Sequence, residues 1–148
     1  MNCYTYDECS LNKTESFTVT VTENMIEDFR NLSGDYNPLH NDEEYAKENN
    51  FRGKVVYGML SASFLSTLAG MYLPGKYCLI QEVNVKFAKP VYVGDILTIT
   101  GKVVEKNETF RILTLKVAIY NQMQELVVRG KMQVGLIGDG KIAEMEEK

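Results

Sequence analysis

Histidine is nearly missing from this chain: its 148 residues include one, His40. A zinc site built from histidine and cysteine is therefore hard to assemble, and Cys3, Cys9 and Cys78 do not pair at metal-ligand spacing. Three is also an odd number of thiols, and free thiols fit a reducing cytosol, so a cytoplasmic location is expected. No basic cluster stands out and the net charge is −4, which disfavours wholesale binding to nucleic acid or to an anionic membrane. The opening MNCYTYDECS lacks a charged n-region and an apolar h-region, so it does not read as a secretory signal.

Charge is absent from one long run, VVYGMLSASFLSTLAGMYL, Val55 to Leu73. Its length reaches the threshold for a membrane span. Gly58 breaks it, however, and a helix from Gly58 to Leu73 would be roughly 24 Å long, short of the ~30 Å hydrocarbon core. Ser61, Ser63, Ser66 and Thr67 also interrupt its apolar surface. A helix apolar on nearly all sides and not in a membrane must be wrapped by protein.

The rest of the chain supplies the wrapping. A composition of 45% hydrophobic and 24% charged residues is ordinary for one globular domain. Phe17, Val19 and Val21 alternate with threonines as a half-buried strand. Thr22 is placed to cap a helix over ENMIEDFRNL whose Met25, Ile26, Phe29 and Leu32 share one face, and Gly34 is placed to end it. Asp42 caps a short helix, EEYAKEN, with acids in its first turn. After the apolar helix, stopped by Pro74-Gly75, come strand-like runs: Val83, Val85 and Phe87; Leu97 and Ile99; Leu113, Leu115, Val117 and Ile119; then Leu126 to Ile137. VGD, EKNET and NQMQ separate them as turns. The expected fold class is α+β: one long helix wrapped by a curved antiparallel sheet. A single domain is expected over 1–148, with an N-terminal extension over about 1–14 and a polar tail over about 139–148 that frays.

The lone histidine lies in SGDYNPLHND, five residues after Asp35. Asn37 and Pro38 stand between them, so an ordered turn rather than a helix is expected there, with Pro38 limiting the drift of the pair.

These residues carry a resemblance. SGDYNPLHND, EYA, F-R-G-K-V-V-Y-G-M-L, LPGK and F-A-K-P-V-Y-V-G-D are similar, in order and spacing, to the MaoC-like hydratases, and within them to the (R)-specific enoyl-CoA hydratases. The likeness runs from about Phe17 to Ile137. It implies the hot-dog fold and the reversible hydration of trans-2-enoyl-CoA to (R)-3-hydroxyacyl-CoA. It implies Asp35 and His40 as the catalytic pair, and the Gly58 backbone N–H as donor to the thioester oxygen. Ser66 corresponds to a serine that hydrogen-bonds the catalytic aspartate. Tyr57 stands where the family usually has histidine and is expected in the pocket wall. No metal or redox cofactor is implied; the CoA thioester is the substrate. A homodimer or a multiple of one is implied, with neither nucleic acid nor membrane as partner. Related activities stay open: acyl-ACP dehydratase, hot-dog thioesterase, or a non-catalytic acyl-thioester-binding protein.

The chemistry gives the pair its purpose. Adding water to a conjugated thioester needs a base for a water proton, an acid for the α-carbon, and a donor to the enolate-like oxygen. A helix start such as Gly58 leaves amides unpaired for that last task, and a residue without Cβ permits close approach.

Overall fold

The structure is a computed structural model, and it describes residues 1–138. The tail expected to fray, over about 139–148, lies outside the described residues.

Strand β1 is Thr14–Thr20, with Phe17 and Val19 packed against the core. Helix α1, Glu23–Ser33, is capped as its sequence demands. Thr22 Oγ1 accepts from Met25 N at 3.3 Å, and Gly34, at φ 72°, donates its N–H to Arg30 O. Ile26 is buried, and Met25 and Phe29 pack beside it. Leu32 departs from the expected apolar face: it is 86% exposed, because no described element covers the last turn of α1.

Two short helices follow, α2 over Pro38–Asn41 and α3 over Glu43–Glu48. Asp42 caps α3, its Oδ1 accepting from Tyr45 N at 3.0 Å. Helix α4, Gly58–Thr67, continues as a wider π-helical turn, Leu68–Tyr72, which ends before Pro74. Its inward residues Leu60, Leu65, Leu68 and Ala69 are buried. Its outward residues Met59, Ser63, Ser66, Thr67 and Met71 are exposed. The apolar helix is thus wrapped on one side by its own chain, not all round as expected.

Four further strands complete an antiparallel sheet: β2 Cys78–Phe87, β3 Ile96–Asn107, β4 Ile112–Tyr120 and β5 Leu126–Leu136. The strand order is β1-β3-β4-β5-β2. The inner face is apolar in register, Ile99 opposite Ile119 and Ile119 opposite Val128, and all three are buried. The helical segment lies on this face. At Gly101 a Cβ would stand 2.7 Å from Leu68 Cδ2, so the absent side chain lets the π turn settle onto β3.

Strand β2 is an edge. Val83 pairs with buried Met132 and Phe87 with buried Val128, so both lie on the core side. They are nevertheless 45% and 51% exposed, since none of the described residues covers that border. The residues ahead of β1 are docked rather than loose. Asn2 N donates to Met71 O and Lys76 N to Asn2 O, and Tyr6 and Cys9 are buried.

Candidate active site

The segment from Ser33 to Asp42 is shaped by its own short polar side chains. Asp35 N donates to Ser33 Oγ at 3.2 Å, and Asp35 Oδ1 accepts from Asn37 N at 3.0 Å. Asn37 Oδ1 in turn accepts from Leu39 N at 2.9 Å and acts as an N-cap. Pro38 then begins a single helical turn that carries His40. The expectation of a turn without helix is corrected here. A proline ends a helix in its interior but suits the first position, where its N–H would be unpaired anyway.

His40 is half-buried, with Nδ1 at 2.6 Å from Val55 O. A carbonyl oxygen can only accept, so Nδ1 carries the proton. In the neutral ring Nε2 is then the acceptor. Asp35 Oδ2 likewise has no hydrogen-bond partner among the described residues, so it too can accept.

Tyr57 is 2% exposed. Its Oη donates to Asp35 O at 2.5 Å and accepts from Asn41 Nδ2 at 3.2 Å, while its ring lies 4.2 Å from the His40 ring. Gly58 opens α4. Leu60 N and Ser61 N both donate to Tyr57 O, whereas the N–H groups of Gly58 and Met59 have no acceptor among the described residues. The space at the missing Gly58 side chain is not open: a Cβ there would stand 3.1 Å from Phe87 Cε1. The ring of Phe87, from edge strand β2, takes up the close approach.

These groups converge. A cavity of about 290 Å³ is lined by Phe29, Asp35, His40, Tyr57, Gly58 and Phe87. A second, about 270 Å³, shares His40, Gly58 and Phe87 and is otherwise largely apolar, with Val56, Val91 and Val127 in its wall. Phe87 stands where the two meet. Ser66 is not brought in: it sits on the exposed face of α4, lines neither cavity, and its hydroxyl makes no hydrogen bond among the described residues.

Sequence reasoning passed over three residues. Ser61 is 1% exposed, lines the second cavity, and its Oγ has no partner among the described residues. It reads simply as one of several hydroxyls in an apolar helix. Asn41 bonds Asn37 O at 2.8 Å as well as Tyr57 Oη. Phe87 follows the alternation of a strand, and its position over Gly58 depends on which strand becomes the edge.

The family profile described as "MaoC like domain" matches residues 11–125. An (R)-specific enoyl-CoA hydratase of Aeromonas caviae is 40% identical over 108 residues, covering 73% of this chain and 81% of that protein. A protein of the same name from Rhodospirillum rubrum is 37% identical over 111 residues, covering 72% and 77%. Among solved structures, an R-hydratase of Pseudomonas aeruginosa in unliganded form superposes with a TM-score of 0.83 at 28% identity, covering 89% of this chain and 84% of that one. The fold is the hot-dog fold.

Proposed function

Because the chain belongs to the MaoC-like domain family, we propose that it hydrates trans-2-enoyl-CoA reversibly to (R)-3-hydroxyacyl-CoA. The observation that carries this reading is the meeting, in one cavity, of two free acceptors and a helix start with unbonded amides. His40 Nε2 and Asp35 Oδ2 can each accept one hydrogen of a single water. The water oxygen then bonds to the β-carbon while one of the two groups takes a proton. The electron pair of the carbon–carbon double bond moves toward the thioester, whose oxygen is held by Gly58 N–H. The protonated member of the pair returns a proton to the α-carbon. The water and the acid–base pair lie on one side of the enoyl plane throughout, so both new bonds form on that side.

Hydration is redox-neutral, and the proposal calls on no cofactor beyond the CoA thioester that is consumed. The role of Ser66 in orienting Asp35 calls for a partner copy, because in its own chain Ser66 lines neither cavity. The uncovered border of β2 and the exposed face of α4 support a homodimer, or a multiple of one, joined about a two-fold axis. Val83, Phe87 and Met59, all exposed in the single chain, belong to that face. The free thiols of Cys3, Cys9 and Cys78 support a reducing, cytoplasmic setting.

The test is turnover of crotonyl-CoA. Loss of enoyl-thioester absorbance without release of free thiol is expected. Release of CoA would make the protein a thioesterase, and binding without turnover a sensor. Turnover confined to thioesters of a carrier protein would overturn the assignment to CoA.

A further inference from the structure

We propose that Tyr57 is a positioning residue: its hydroxyl clamps the segment that carries Asp35 and His40. The inference rests on the proposed function for its catalytic consequence, but its geometry stands alone.

The segment from Asp35 to Asn41 is short and largely exposed, and its apolar anchorage is slight. What ties it down is polar. Tyr57 Oη donates to the Asp35 carbonyl and accepts from Asn41 Nδ2. The same Asn41 amide donates to Asn37 O. A hydroxyl has one proton to give and lone pairs to receive, and an amide nitrogen has two protons, so all three bonds are mutually compatible. One buried hydroxyl therefore holds both ends of the segment. The Tyr57 ring, fixed against Phe29 at 4.8 Å, also lies along the His40 ring.

The placement of Tyr57 in the chain makes the clamp useful. Val55, Tyr57 and Gly58 fall within four consecutive residues. Val55 O holds His40 Nδ1, Tyr57 Oη holds Asp35, and Gly58 opens the helix whose first amides have no acceptor among the described residues. The acid–base pair and the oxyanion donor are thereby referred to a single stretch of backbone. Errors in their relative placement stay small, which the rate of a reaction in a preorganised site demands. Packing alone would be met by phenylalanine; the hydroxyl is what the clamp uses.

Tyr57→Phe deletes that hydroxyl and keeps the ring. It is expected to lower kcat for crotonyl-CoA by on the order of 10–10²-fold, the scale of a small misplacement, with KM nearly unchanged. Asn41→Ala should act in the same direction and less strongly, and it serves if Tyr57→Phe does not fold. A readout without substrate comes from His40, whose ring signals in NMR need no assignment because the chain has one histidine. Exchange of its Nδ1–H with water should become severalfold faster in Tyr57→Phe. If Asp35→Asn abolishes turnover while Tyr57→Phe keeps wild-type kcat and exchange, the clamp is wrong and the function stands. If the wild type turns over no enoyl thioester, the function is wrong, and the exchange rate alone decides the clamp: faster supports it, unchanged overturns it.

Discussion

Removing the acid–base pair one member at a time, and then together, tests whether Asp35 and His40 act on one water. The substitutions keep shape. In Asp35→Asn the side-chain oxygen can still accept from Asn37 N, as Oδ1 does now at 3.0 Å. In His40→Gln the new amide can still donate to Val55 O, the present partner of Nδ1. Each change therefore removes a proton acceptor and little else. General acid–base catalysis contributes about 10²–10⁴-fold, which is roughly 2.7–5.4 kcal/mol at about 1.36 kcal/mol per decade. Independent groups would multiply, to about 10⁴–10⁸-fold in the double variant. Groups that share one water lose the same interaction whichever is removed, so the double variant should stay within a few-fold of the worse single one. The assay is loss of crotonyl-CoA absorbance, with thermal melts to confirm that all variants fold. A double variant slowed by the full product, or a His40→Gln enzyme near wild-type rate, would refute the shared-water reasoning.

Four further outcomes follow from the same geometry. Val83→Asp, placed on the uncovered border of β2, should convert a two-fold assembly to monomer by light scattering, and a wild-type monomer at micromolar concentration would contradict the homodimer. Ser61→Ala should raise stability in denaturant melts by about 1 kcal/mol, because it removes a buried hydroxyl that has no partner among the described residues. Burial pushes the Cys78 thiol up to about 11 from 9.0. The fold therefore favours the neutral thiol, and stability should fall as pH rises from about 9 to 11, modestly because the group is only partly buried. Near pH 8 its thiolate is roughly a hundredfold scarcer than at an unperturbed site, so iodoacetamide should label exposed Cys3 well before Cys78.

Local chemistry made much of the fold legible. Thr22, Gly34 and Asp42 cap helices because their side chains or backbone suit those ends whatever surrounds them. Strict alternation from Leu113 to Ile119 marks a strand with one buried face, and all four residues are buried. What stayed hidden is long-range. The alternation of Val83 and Phe87 gives their face correctly, but their exposure depends on β2 being an edge, a matter of strand order. Leu32 has the right spacing on a turn that no described element covers. The bonds of Tyr57 to Asp35 and Asn41 span sixteen residues or more, and no spacing rule announces them. Pro38 misled because the same residue that breaks a helix interior begins a helix well. The convergence of Asp35, His40 and Gly58 on one cavity follows the resemblance, whereas the ring of Phe87 over Gly58 does not.

The central claim is that this pair adds water to one face of an enoyl-CoA, and the hand of the product tests it most directly. Crotonyl-CoA is converted to equilibrium, and the 3-hydroxybutyryl-CoA formed is resolved by chiral analysis and offered to an (S)-specific 3-hydroxyacyl-CoA dehydrogenase. The account predicts the (R) product and no dehydrogenase signal. A robust signal from the (S)-specific enzyme, or a racemic product, would contradict it.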